Sequence, residues 1–187
     1  MNVFIAGPRK ISILNKEIEE RLQNIKENEF TVLVGDANGV DKAVQKFFSE
    51  SCYHKVKVFA VNGVARNNLG KWSVEPVVVK SKTKDFMYYT VKDIEMAKNA
   101  DYGFMIWNGQ SKGTLNNMIN LTKMHKKVLI YFLPEKKYYT VRSFEDLTMF
   151  MARCDEKTNE TFKDLLNNYH EEHEASSFQP TLNFESL

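Results

Sequence analysis

The residues of this 187-residue chain that could do chemistry are concentrated in three glycine-bearing turns. Gly7-Pro8-Arg9 follows the apolar run Val3-Phe4-Ile5-Ala6. Gly35-Asp36-Ala37-Asn38-Gly39, with Asp41 just beyond, follows Thr31 to Val34. Asn108-Gly109, Ser111, Gly113 and Thr114 follow Tyr102 to Trp107. A strand that ends in a glycine turn and restarts as a helix leaves backbone N–H groups without partners at the positive end of the helix dipole, which suits a phosphate or another anion. Arg9 stands directly after a strand end, where a forked guanidinium can clamp a phosphate or make a surface ion pair. Ser111 and Thr114 can donate hydroxyls to an anion, cap the helix, or do both, because caps and anion sites use the same orphan N–H groups. Asp41, in the first turn of a helix, is either a ligand contact or a favourable charge–dipole placement.

These turns need elements to position them, and the hydrophobic pattern supplies them. Val3 to Ala6, Phe30 to Val34, Val56 to Val61, Val77 to Val79, Tyr102 to Trp107 and Val128 to Leu133 are short apolar runs that predict strands buried on both faces. Leu14, Ile18, Leu22 and Ile25 recur at three- and four-residue steps and predict an amphipathic helix. Val40 to Phe48, Lys84 to Asn99 and Thr114 to His125 predict three more. Residues 62–76 read as a long loop in which Trp72 is either an anchor or a base-stacking ring. Strands alternating with helices imply right-handed crossovers. The expected fold is an α/β, Rossmann-like three-layer sandwich with a mostly parallel sheet and a short, mainly helical C-terminal extension. The expected division is a nucleotide-binding domain over 1–135, an extension packing on it over 136–170, and a frayed polar tail over 171–187. Three strand-to-glycine junctions then share one crevice at the carboxyl ends of the strands.

Composition removes several function classes. The chain is 43% hydrophobic and 27% charged with a net charge of +2, and its basic residues are interleaved with acidic ones. A dedicated nucleic-acid binder shows a basic stripe, so nucleic acid is not expected as a partner. Two cysteines, Cys52 and Cys154, imply neither a disulfide framework nor a zinc site, and no metal or cofactor is expected. The spacing of His170 and His173 can place both on one helix face, but in HEEHE it reads as a solvated polar surface. No apolar run approaches the roughly 20 residues that span a bilayer, and no leader pattern opens the chain, so a cytoplasmic location without membrane association is expected.

Taken in order, Gly7-Pro8-Arg9, the GDANGVD turn at 35–41, KDIEM at 92–96 and AD…WNGQSKGT at 100–114 resemble the SLOG superfamily. This is the Rossmann-like group that includes the LONELY GUY phosphoribohydrolases and the DNA-processing protein DprA. The resemblance covers about the first 133 residues and is nearest the YspA-like branch, whose turns follow GSR-like, GGAxGxD and WDGxSxGT patterns. It implies a nucleotide ligand and a homodimer or larger assembly.

Two departures bear on activity. LONELY GUY enzymes carry PGGxGTxxE, and aligning Gly113-Thr114 with its Gly-Thr puts Asn117 in the position of the catalytic glutamate. Asn108 replaces the aspartate of the WDG turn. A carboxamide can hydrogen-bond a ribose hydroxyl but cannot serve as a general base. Carboxylates could reach the crevice from elsewhere, with Asp93 and Glu95 the candidates for catalysis. They stand two apart on an expected helix and cannot both face it. Asp93 matches the polar position of the family's basic-polar-x-x-Met pattern.

The expected function is binding of a nucleotide or nucleotide-derived ligand, such as an ADP-ribose-like molecule or a nucleoside phosphate, by a sensor or sequestering module. The expected ligand-binding residues are Gly7, Pro8, Arg9, Gly35, Asp36, Ala37, Gly39, Asp41, Asn108, Gly109, Ser111, Gly113, Thr114 and Asn117. The alternative is a nucleotide N-glycosidase using Asp93 or Glu95.

Overall fold

The computed structural model describes residues 1–79 and 86–177. The elements in chain order are β1 (Asn2–Ala6), α1 (Lys16–Glu27), β2 (Thr31–Gly35), α2 (Val40–Glu50), β3 (Val56–Val61), β4 (Ser73–Val77), α3 (Phe86–Asn99), β5 (Tyr102–Trp107), α4 (Lys112–Lys123), β6 (Lys127–Phe132), β7 (Lys137–Val141), α5 (Phe144–Met151) and α6 (Glu156–Ser177). They build a seven-stranded sheet in the order β4-β3-β2-β1-β5-β6-β7. All neighbours are parallel except β7, which runs antiparallel to β6. This is a Rossmann-like three-layer α/β arrangement with a helical C-terminal region.

Both faces of the central strands are covered, which is why those strands are almost uniformly apolar. Alternate residues of β1 serve different layers. Val3 and Ile5 pack with Ile18, Leu22 and Ile25 of α1 and with Val44 and Phe48 of α2. Phe4 and Ala6 belong to the opposite cluster with Met96 of α3, Leu115 and Met118 of α4, and Leu147, Phe150, Phe162 and Leu165 of the C-terminal helices. Residues 137–165 therefore complete the sheet edge and one layer of the core.

Two boundaries differ from the sequence reading by more than a residue or two. The fourth strand lies at Ser73–Val77 rather than Val77 to Val79. Pro76 is accommodated because β4 is an edge strand, and Glu75 pairs with Lys57 of β3 at 2.9 Å. The last helix continues to Ser177, past the expected start of the tail at 171; no glycine or proline interrupts residues 156–177. The tail residues Phe178, Leu182, Phe184 and Leu187 lie outside the described residues. No helix among the described residues is long and apolar enough to cross a membrane.

Chain order reverses at the centre of the sheet. From β1 the chain steps outward through β2, β3 and β4, then returns to lay β5 on the other side of β1. The loops after β1 and β5 consequently diverge, and the gap between them is the topological switch point where α/β sheets bind ligands.

Candidate functional site

A cavity of about 630 Å³ opens at that switch point, well inside the range of roughly 300–1,000 Å³ of small-molecule sites. One wall is the loop after β1, with Gly7, Pro8, Arg9 and Lys10. The facing wall is the β5–α4 turn, with Asn108, Ser111, Gly113, Thr114 and, one turn into the helix, Asn117. Ala37 and Asp41 close the side toward β2, and α3 contributes Tyr89, Lys92, Asp93 and Met96.

The β5–α4 turn is built from its own side chains. The Asn108 side-chain oxygen accepts from the Gln110 and Ser111 N–H groups at 3.1 and 3.0 Å, an Asx turn that fixes the chain reversal. Only a carbonyl-type oxygen is needed for this, so an asparagine does here what an aspartate would do. Ser111 caps α4, accepting from the Thr114 N–H at 3.4 Å and the Thr114 hydroxyl at 3.0 Å. Trp107 is fully buried and donates its indole N–H to the Ser111 carbonyl at 3.1 Å, so it belongs to the core and braces the turn. The first intrahelical bond runs from the Leu115 N–H to the Ser111 carbonyl at 3.0 Å. The amides ahead of it form the positive end of the helix.

Gly113 is singular among the glycines at this edge, because a Cβ there would meet nothing within 4 Å. Packing does not require this glycine, and a glycine inside a helix costs about 1 kcal/mol against alanine. Its effect is to leave the α4 backbone bare to the cavity. Behind it Asn117 is only 3% exposed, and its side-chain oxygen is buried without a hydrogen-bond partner. An orphaned buried polar atom is costly, by about 1–3 kcal/mol.

The β2–α2 turn behaves differently. Gly39, at φ +82°, would drive a Cβ to 2.3 Å from the Arg9 carbonyl oxygen, so this glycine lets the two loops cross. A Cβ on Gly35 would stand 2.3 Å from the Asp41 carboxylate and 2.7 Å from the Lys92 ammonium. The first amide of α2, on Val40, donates to the Pro8 carbonyl at 3.2 Å, and the Asp41 carboxylate accepts from the Ala37 N–H at 3.2 Å. At this helix end the first amide is already taken by the protein, and a carboxylate of its own first turn stands beside it. Gly35, Asp36, Gly39 and Gly109 lie outside the cavity wall, and the Gly109 carbonyl instead accepts from the Thr158 hydroxyl of α6 at 2.7 Å. Glu95 also lies outside: it bonds the Asn99 amide at 2.9 Å and faces Lys98.

Beneath the β1 and β2 loops lies a compact charge cluster. Asp36 is buried and holds Arg66 by two parallel bonds, Nε to Oδ2 at 2.8 Å and Nη2 to Oδ1 at 2.7 Å. Burial would raise the Asp36 pKa, but the Arg66 hydrogen bonds outweigh it and hold the carboxyl below its ordinary value. Lys92 is 4% exposed and bonds Asp93 at 2.7 Å. Burial opposes its charge, yet Asp93 and Asp41 together hold its pKa above the usual lysine value. Asp41 is pushed up to about 6, chiefly by burial and secondarily by Asp93, against the attraction of Lys92. Among the described residues no three His, Cys, Asp or Glu side chains converge as metal ligands.

Arg66, Tyr89 and Lys92 are wall residues that were not among the expected site residues, although Lys92 is the basic residue of the KDIEM motif. The loop over residues 62–72 brings Arg66 in. It is latched by Gln45, which donates to the Gly35 and Asn67 carbonyls at 2.8 and 3.1 Å, and by the Asn67 amide on the Asp36 carbonyl at 2.8 Å. Trp72 anchors the far end of the loop, donating its indole N–H to the Tyr53 carbonyl at 2.8 Å. The Arg66 and Arg9 guanidiniums lie 5.3 and 4.8 Å from the centre of the Tyr89 ring. The spacing of Tyr89, Asp93 and Met96 at four- and three-residue steps is the signal that would have found the tyrosine.

No protein-family model matches the chain, and no curated protein sequence does. Among solved structures the chain is similar to DNA processing protein A from Helicobacter pylori, described for its unique single-stranded DNA binding mode. The match has a TM-score of 0.56 at 12% identity, over 90% of this chain and 81% of that one. At that identity the likeness establishes the fold. It also corrects one expectation from composition: a protein of this fold binds single-stranded DNA, so an even charge balance is no ground for setting nucleic acid aside.

Proposed function

We propose that the cavity binds the phosphate and ribose portion of a nucleotide or nucleotide-derived ligand, and that the protein holds its ligand as a sensor or sequestering module. The observation that carries this reading is the bare backbone at Gly113 with the unpartnered, buried Asn117 carboxamide behind it. Both features cost stability in the free protein and offer hydrogen bonds to a ligand. The phosphate would sit at the N-terminus of α4 with Ser111 and Thr114. Asn117 would meet a ribose hydroxyl or another neutral polar group. The motif order that resembles the YspA-like branch of the SLOG superfamily favours the same ligand class.

A second reading, N-glycosidic bond cleavage, is favoured by Asp93 on the cavity wall and by Asp41 beside it with a pKa of about 6, in the range useful for proton transfer at neutral pH. Against it, the position that the resemblance assigns to a catalytic glutamate is an asparagine, Asn117, and Asp93 is already paired with Lys92.

Incubation with nucleoside monophosphates, NAD, ADP-ribose, cyclic nucleotides and short single-stranded DNA, followed by mass spectrometry of bound and free species, tests the proposal. It holds if an intact nucleotide ligand is recovered on the protein. Release of free base, abolished in Asp93→Asn, would establish the glycosidase instead. Oligonucleotide binding that falls steeply with salt would align the function with that of the structural neighbour.

A further inference from the structure

We infer that the ligand of this cavity carries two anionic groups, one at the N-terminus of α4 and a second between Arg9 and Arg66 at the edge of Tyr89. The inference rests on the nucleotide-binding reading and specifies the ligand class: a nucleoside diphosphate or diphosphate conjugate, or two consecutive phosphates of a strand. A nucleoside monophosphate would fill only the first position.

Charge distribution supplies the argument. Inside the cavity the charges are matched, Lys92 by Asp93 and Asp41, and Arg66 by Asp36. At the mouth they are not. Arg9 and Lys10 line the cavity and are exposed, and neither has a carboxylate partner among the described residues. Both guanidiniums approach the one Tyr89 ring, which brings them within about one Debye length of each other, roughly 10 Å at 0.1 M salt. Salt screens their repulsion only in part at that separation, and while Asp36 offsets the Arg66 charge, Arg9 brings a positive charge with no carboxylate beside it.

Arg66 is pre-oriented for sharing. Asp36 uses its Nε and Nη2, its side chain remains 43% exposed, and the other terminal nitrogen is left to donate. An anion placed there gains the remaining Arg66 nitrogen, already oriented by Asp36, and the Arg9 guanidinium beside the Tyr89 ring. The α4 N-terminus meets the other anion, and the buried, unpartnered Asn117 oxygen behind it is an acceptor for a hydroxyl of the sugar that carries the phosphate. The cavity volume of about 630 Å³ accommodates both groups and the ribose that carries them.

Calorimetric titration separates this inference from the reading beneath it. The probes are matched nucleoside mono- and diphosphates of the common bases, inorganic pyrophosphate and a 5′-phosphorylated dinucleotide, each against wild type and Arg9→Gln. Arg9 is exposed, and a thermal unfolding curve checks that the variant folds. The expected result is a diphosphate bound about tenfold or more tightly than the monophosphate of the same base, with the ratio falling to about one in Arg9→Gln. A dinucleotide that outcompetes the diphosphate with the same Arg9 dependence supports two phosphates and names a strand as their source. Equal affinity for mono- and diphosphate, or an equal loss of both in Arg9→Gln, overturns the inference and leaves nucleotide binding standing. Arg9-dependent binding of pyrophosphate without binding of any nucleotide retains the two anions and rejects the nucleotide reading. If no probe binds, both are wrong.

Discussion

Asp41 offers a test of the charge cluster that needs no ligand. Its carboxyl is raised from 3.8 to about 6 in the folded protein, a shift of roughly two units at about 1.4 kcal/mol each, so its burial as an anion costs about 3 kcal/mol. Below pH 3.8 the group is protonated in both states and contributes nothing. Between 3.8 and about 6 only the folded chain holds the proton, so stability falls as pH rises through that window and is level above it. Asp36, whose folded pKa is lowered, acts in the opposite sense: its contribution is lost as pH falls below the ordinary aspartate value, outside the window.

Asp41→Asn keeps an acceptor for the Ala37 N–H and cannot ionise. Urea denaturation of wild type and Asp41→Asn at about pH 4.5, 5.5 and 7 reads the difference directly. The variant is expected to gain on wild type as pH rises, by up to about 3 kcal/mol, a net figure in which the attraction of Lys92 is already included. A pH-independent difference, or one that favours wild type increasingly toward neutral pH, would refute the assignment of Asp41 as a buried, desolvated carboxylate.

Gly113→Ala is expected to raise stability by about 0.5–1 kcal/mol, from helix propensity in open space, while weakening ligand binding by placing a methyl over the bare backbone. Thermal unfolding and titration of the same variant check the opposed signs. Asn117→Leu removes an orphaned buried polar atom and is expected to be neutral to stabilising by about 1 kcal/mol in urea denaturation, with ligand affinity lost. Asp36→Asn should release the residue 62–72 loop. The cost is about 1–2 kcal/mol after allowing for the exposure of Arg66, and faster proteolysis between 62 and 72 would report it. Glu95→Gln is expected to leave nucleotide affinity within about twofold of wild type in titration, because Glu95 lies outside the cavity wall.

The layered architecture was legible because buried parallel strands announce themselves as apolar runs that end in glycine turns. The β1 and β5 junctions were legible for the same reason, and Gly7, Arg9, Ser111, Gly113, Thr114 and Asn117 all line the cavity. Gly35 and Gly39 show the limit of that reasoning. A glycine that clears room for a neighbouring carboxylate and one that clears room for a ligand look alike in sequence, and only the atoms around the missing Cβ separate them. Arg66 was hidden because its place depends on a long-range pair with Asp36 across 30 residues of chain. The start of β4 was hidden by Pro76, which reads as a strand breaker until the strand is known to be an edge.

The central claim, that a nucleotide ligand is held at the α4 end of the switch-point cavity, is tested most directly by ligand retention in matched proteins. Wild type, Gly113→Val and Asn117→Leu would each be incubated with the same nucleotide panel, desalted and analysed by native mass spectrometry. Retention of one intact ligand by wild type, and its loss from both variants while they remain folded, is the expected result. A ligand retained equally by all three proteins, or no nucleotide retained by wild type, would contradict the account.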